Sequence, residues 1–115
     1  EISVCADTTV AEIRDGKIHT FVLHPEDYGI PKYEKGALVG GSPEENARTM
    51  RAIFSGTEKG AKRDAVILNA AAGISIMRGI AYEDAIRQAN EIIDSGKALA
   101  KVDEFVAATK RYVAA

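Results

Sequence analysis

The dipeptide Asp15-Gly16 does most to limit what this chain can fold into. It lies between two runs rich in Thr, Val, Ile and Phe, residues 8–14 and 17–24. A two-residue Asp-Gly turn takes positive φ at both central positions, and its twist matches that of paired strands. The turn therefore fixes a register. Ile13 faces Ile18, Ala11 faces Thr20 and Thr9 faces Val22, which makes one largely apolar face. Glu12 faces His19 and Val10 faces Phe21 on the other, half-apolar face, and Arg14 meets Lys17 at the tip. Two strands alone are marginal in water, so the hairpin has to lie on a sheet or a helix.

Ahead of the hairpin, Ile2, Val4 and Cys5 make a short apolar start, and the first 24 residues read as strand. His24-Pro25-Glu26-Asp27-Tyr28-Gly29-Ile30-Pro31 is a connector, because its prolines break a ladder. Residues 32–39 have room for one helical turn before Gly40-Gly41. Ser42 opens the clearest helix: Ser42 with Glu45 forms a capping box, and Pro43 takes the first helical position. Ala47, Met50, Ile53 and Phe54 recur on its apolar face. A long helix is expected from about Asp64, with Ile67, Ala70, Ala71, Ile74 and Met77 on one side and further apolar residues around most of its girth. Such a helix is expected to be central and buried. Tyr82, Ala85, Ile86, Ala89 and Ile93 mark a third helix. A fourth runs from about Lys97, with Leu99, Val102, Phe105, Val106 and Tyr112 inward. Gly56, Gly79 and Gly96 suit the left-handed position that ends a helix. The fold class is thus α+β, an N-terminal hairpin followed by about four helices, and it reads as the last part of a larger α/β or α+β unit.

The 115 residues and 12.3 kDa fit one small domain. A net charge of -2 argues against a broadly basic nucleic-acid-binding surface. A hydrophobic share of 46% supports a folded core, though one built from small residues, since only 6% are aromatic and many apolar residues are Ala. The single cysteine excludes an internal disulfide. No apolar run is long enough to span a membrane as a helix, and neither a membrane nor a nucleic acid is expected as a partner. The chain opens on Glu1-Ile2-Ser3-Val4-Cys5 without an initiator Met, and we expect a piece of a longer protein.

Candidate chemistry is sparse. There is no Walker or Rossmann phosphate loop. Cys5 reads as a small strand hydrophobe. His19 and His24 fall on opposite strand faces, which does not suit a shared metal. Glu26 and Asp27 offer oxygen ligands but read as a solvated turn. Lys59, Lys62 and Arg63 lie near a helix N-terminus, where a phosphate would be held; the simpler reading is a charged loop. Asn69, polar within the most apolar helix, is expected to bond to a neighbouring helix or loop. Met50 and Met77 read as core filler.

The wording of the sequence adds to this. Glu1-Ile2-Ser3, Thr9-Val10-Ala11-Glu12-Ile13, Asp15-Gly16 and Leu23-His24-Pro25-Glu26-Asp27-Tyr28-Gly29 resemble the C-terminal part of the anthranilate phosphoribosyltransferase family. So do Gly40-Gly41-Ser42-Pro43-Glu44-Glu45-Asn46-Ala47, Arg63-Asp64-Ala65-Val66-Ile67-Leu68-Asn69-Ala70-Ala71 and Ile93-Asp94-Ser95-Gly96-Lys97-Ala98-Leu99. The blocks keep the family's order over almost the whole chain. The resemblance implies that residues 1–115 are the C-terminal part of the large α/β domain of a phosphoribosyltransferase of the nucleoside-phosphorylase-like type. The helical N-terminal domain and the phosphate-binding half would lie outside. It implies transfer of a phosphoribosyl group from phosphoribosyl pyrophosphate to anthranilate in tryptophan biosynthesis, by a cytoplasmic homodimer that uses Mg2+. Glu1 matches the Glu of an adjacent Asp-Glu pair that binds magnesium in the family, and is the one expected metal ligand. No catalytic or substrate-binding residue is carried over, and the chain alone is expected to be inactive. Two other readings are a non-catalytic binding or regulatory module and a related phosphoribosyltransferase with another acceptor.

Overall fold

A computed structural model describes residues 1–113. Strands β1 (Thr8–Arg14) and β2 (Lys17–Leu23) form a two-stranded antiparallel sheet. Two short 3₁₀ turns follow, Pro25–Tyr28 and Lys35–Leu38, and then helices α1 (Pro43–Phe54), α2 (Ala61–Arg78), α3 (Tyr82–Asp94) and α4 (Lys97–Val113). The hairpin register is the one the sequence dictates, from Thr8 opposite Leu23 to Arg14 opposite Lys17. Asp15 at φ 52° and Gly16 at φ 72° make the type I′ turn that the register requires.

The helix ends follow their sequence signals. Ser42 Oγ accepts from the Glu45 N–H, and the Glu45 carboxylate accepts from the Ser42 N–H, closing the capping box. Gly79, at φ 63°, ends α2 in the left-handed region. α2 begins at Ala61, a turn earlier than its apolar pattern suggests, because Gly60 takes the N-cap and Arg63 turns into the interior.

Two apolar clusters share α2 as a wall. Ile53, Ile67, Ala89 and Ile93 join α1, α2 and α3 in one, with Phe54, Val66, Ile74 and Ala98 around them. Val4, Ile30 and Leu68 form the other, with Ile2, Cys5, Tyr33 and Tyr82 against them. Ile86 touches both. Neighbouring side chains on one helix, Ile67 and Leu68, therefore serve different clusters.

The structure also departs from the sequence reading elsewhere. Residues 1–7 are not strand; their backbone bonds are taken by side chains and by the Tyr33 N–H rather than by a ladder. α2 is buried along one side only: Ile76 and Met77 are 78% and 82% exposed, and Met50 is half-exposed, so neither methionine is core filler. On α4, Leu99, Val102 and Val106 are partly covered, but Phe105 and Tyr112 are exposed, because the helix leans on its neighbours through one narrow side. The hairpin turns its half-apolar face to the helices. Its more apolar face, with Ile13, Ile18 and Val22, is open to solvent.

Candidate functional site

The first residues are held by Asn69 of α2. The Ile2 N–H donates to Asn69 Oδ1 at 2.9 Å, and Asn69 Nδ2 donates to the Ile2 carbonyl at 2.8 Å. One side-chain amide thus bonds both backbone groups of a residue, as a neighbouring strand would. Asn69 Nδ2 also donates to the Ala65 carbonyl at 2.9 Å, which fixes the amide on its own helix. The Tyr33 N–H donates to the Val4 carbonyl at 2.9 Å, and Val4 is fully buried. Glu1 sits exposed next to this anchor. Among the described residues no three His, Cys, Asp or Glu side chains come close enough to hold a metal ion. Mg2+ commonly takes one or two carboxylates and fills its octahedron with water and substrate phosphate. Glu1 fits as one such ligand on an anchored segment, and is not a complete site.

A second polar group lies around Asp7. Its Oδ1 is 2.6 Å from Lys32 Nζ and 3.0 Å from His24 Nδ1, and Lys32 is also 3.4 Å from Glu26. The hydrogen bond from Lys32, then that from His24, holds the Asp7 carboxyl below the usual carboxylate range. The same bond raises Lys32 above its ordinary value. These contacts clasp the N-terminal segment to the connector. They also account for Glu26 and His24, while His19 stays exposed on β2.

Tyrosines secure the inner side of the site. Tyr82 donates to the Leu68 carbonyl at 2.8 Å and meets Tyr28 edge-on, with ring centroids 4.9 Å apart. Burial pushes the Tyr82 hydroxyl far above its ordinary value. Tyr33 donates to Asp64 Oδ2 at 2.7 Å, and that bond raises its own pKa.

The basic stretch reads differently in the structure. Arg63 is buried, and its Nη2 donates to Asn90 Oδ1 at 2.9 Å and Asp94 Oδ1 at 3.0 Å. It is a cross-link from α2 to the end of α3, neither loop charge nor phosphate ligand. Lys62 instead lines a shallow pocket of about 290 Å³ with Leu38, Met50 and Phe54. Cys5 lies half-buried in a bend, packed on the Val4 cluster, not in a strand. The Asp7–Lys32 clasp and the inward turn of Arg63 were not foreseen from the sequence. Neither has a local signature, since each pairs residues distant along the chain.

A groove of about 910 Å³ lies between the hairpin and the helices. Ile13, Phe21 and Leu23 line one wall, and Ala72, Ile76 and Tyr82 the other. Ile2 reaches its edge, so the groove and the anchored N-terminus belong to one face of the molecule.

This arrangement, a hairpin followed by four packed helices, is that of a known class. The chain belongs to the glycosyl transferase family, a/b domain, whose model matches residues 1–99. Within it the chain is similar to anthranilate phosphoribosyltransferases. The protein of that name from Lachnoclostridium phytofermentans is 49% identical over 96% of this chain and 33% of its own length. That from Acetivibrio thermocellus is 46% identical over 98% of this chain and 33% of its own. The Saccharomyces cerevisiae enzyme in complex with 4-fluoroanthranilate superposes with a TM-score of 0.86 at 28% identity, over 96% of this chain and 33% of that one. The Thermus thermophilus enzyme gives 0.74 at 35% identity, over 84% of this chain and 30% of that one. The chain spans about a third of the length of the curated relatives it matches.

Proposed function

We propose that this chain is the C-terminal part of the α/β domain of an anthranilate phosphoribosyltransferase, with the helical domain and phosphate-binding half supplied by the rest of a longer protein. The whole enzyme would be a cytoplasmic homodimer in tryptophan biosynthesis. It would join the amino group of anthranilate to the anomeric carbon of phosphoribosyl pyrophosphate, with pyrophosphate leaving. The observation that carries this reading is the 49% identity to an enzyme of that name across nearly the whole chain.

Within that enzyme the part played by these residues is positional. Glu1 offers a carboxylate, and the Asn69 amide fixes the backbone just after it. Mg2+ bound there would neutralise charge on the departing pyrophosphate. A yeast relative has been solved with Mg bound, which supports that use. The Asp7–Lys32 clasp and the Val4 cluster hold the same segment from the other side. The phosphate-binding half would come from the rest of the longer protein, so this chain alone would be inactive.

The test is a chimera in which this chain replaces the matching third of the Lachnoclostridium phytofermentans relative. The expected result is phosphoribosyl transfer to anthranilate, greatly reduced by Glu1→Gln, and no turnover by the 115-residue chain alone. A folded chimera that turns over another acceptor, or none, overturns the reading.

A further inference from the structure

The segment after Glu1 is fixed one peptide plane at a time, although it belongs to no strand. A peptide unit is planar and rigid, so a bond to its N–H or its C=O orients the whole unit. The Ile2 carbonyl and the Ser3 N–H share a plane. The carbonyl accepts from Asn69 Nδ2 at 2.8 Å and the N–H donates to Thr8 Oγ1 at 3.0 Å. The Val4 carbonyl and the Cys5 N–H share the next plane but one. They are bonded to the Tyr33 N–H at 2.9 Å and to Ser3 Oγ at 3.0 Å. Both planes are therefore held from two sides.

The plane that joins Glu1 to Ile2 is different. Among the described residues it has one bond, from the Ile2 N–H to Asn69 Oδ1 at 2.9 Å. That plane carries the Cα of Glu1. The place from which the Glu1 side chain starts is thus set by one carboxamide. The carboxamide is itself fixed, because Asn69 Nδ2 also donates to the Ala65 carbonyl on its own helix at 2.9 Å. A second tie to α2 runs through Tyr33, whose hydroxyl donates to Asp64 Oδ2 at 2.7 Å, but it reaches the segment only at Val4.

We propose that Asn69 is the positioning residue for metal binding at Glu1: it orients the plane that carries the carboxylate and touches neither metal nor substrate. This rests on the reading of Glu1 as a Mg2+ ligand. A glutamate whose backbone swings must be ordered when the metal binds, and that cost is subtracted from affinity. Asn69 meets the cost in advance. Only a carboxamide presents an acceptor and a donor side by side, as the two groups of Ile2 require. Groups that orient a metal ligand from behind typically change affinity by about 10–100-fold when removed.

The test uses the chimera described above, with Mn2+ as the probe in place of Mg2+. Binding is read by electron paramagnetic resonance in the presence of phosphoribosyl pyrophosphate, below the unfolding transition of every variant. Asn69→Ala should weaken Mn2+ binding about tenfold. It should raise the Mg2+ concentration for half-maximal turnover by a similar factor and leave the KM for anthranilate unchanged. Ile67→Ala, on the same helix but in the other cluster, should destabilise the fold without moving metal binding. In a Glu1→Gln background Asn69→Ala should have little further effect on binding, since it acts through Glu1. Full additivity of the two, or metal binding unchanged by Asn69→Ala alone, overturns the inference. Metal binding unchanged by Glu1→Gln overturns the assignment of Glu1 and the inference with it. Turnover of another acceptor overturns the functional reading and leaves the metal measurement standing. If Asn69→Ala does not fold, Asn69→Ser takes its place; its hydroxyl still bonds the Ala65 carbonyl but cannot bridge both groups of Ile2. If the chimera does not fold, the chain is mixed with the complementary two-thirds of the relative, and unchanged Mn2+ binding there overturns the inference equally.

Discussion

At the residue scale, Asn69 has the most consequential side chain near the N-terminus. It was legible as a polar residue that had to find a partner, because a carboxamide inside an apolar helix cannot be left unbonded. That the partner is Ile2 was not legible, since nothing local links residues so far apart. Asn69→Ala removes three hydrogen bonds and strands both backbone groups of Ile2. The expected loss is about 1–3 kcal/mol, read as a lower denaturation midpoint at constant slope. Asn69→Asp keeps the acceptor for the Ile2 N–H but sets a carboxylate against two carbonyls, and should cost more than Asn69→Ala at neutral pH. Asp7 gives a different signature. Its folded pKa is lowered from 3.8 by Lys32 and then His24, so its contribution is present above that value and is lost as pH falls through the lower folded one. Lys32 is raised from 10.5, and its contribution disappears as pH climbs through the higher folded value. Thermal midpoints measured across acid pH should fall for the native chain in that lower window. Asp7→Asn should lack this component.

At the element scale the sequence was most informative where the chemistry is local. The hairpin register, the capping box and the helix-ending glycines each depend on residues within a turn of one another, and the structure has them as read. Exposure on long helices was misread because an apolar pattern shows which residues can be buried, and not whether a partner is there to bury them. Met77 and Phe105 match apolar faces that nothing among the described residues covers. The start of α2 was misplaced for the opposite reason, since Arg63 looked like a loop cation until its bonds to Asn90 and Asp94 placed it inside. The capping box gives a clean test. Ser42→Ala leaves the Glu45 N–H without its acceptor at an exposed helix start, and should cost about 1 kcal/mol. Ile67→Ala, in the shared wall of the core, should cost about 2–5 kcal/mol. Urea denaturation of the two variants side by side would read that difference.

At the scale of the whole molecule, exposed apolar side chains stand on the hairpin, near the end of α2 and on α4. Ile13 and Ile18 are 77% and 71% exposed, and Ile76 and Met77 are as open. Scattered exposed apolar residues are ordinary, but a row on one sheet face is a contact surface without its contact. The 115-residue chain should therefore bind an apolar fluorescent dye and sediment with a mass that rises with concentration. Ile18→Lys combined with Val22→Lys places charge on that face, away from both clusters. Surface substitutions clear of packing and caps usually change stability by under about 0.5 kcal/mol, so the double variant should unfold at nearly the native midpoint. It should nevertheless lose much of the dye signal and the self-association. A native chain that stays monomeric and dye-silent at high concentration would mean that the outward face needs no cover. A double variant that unfolds early would mean that these side chains already support the fold. The prediction requires both that the face be open and that it be dispensable to this chain.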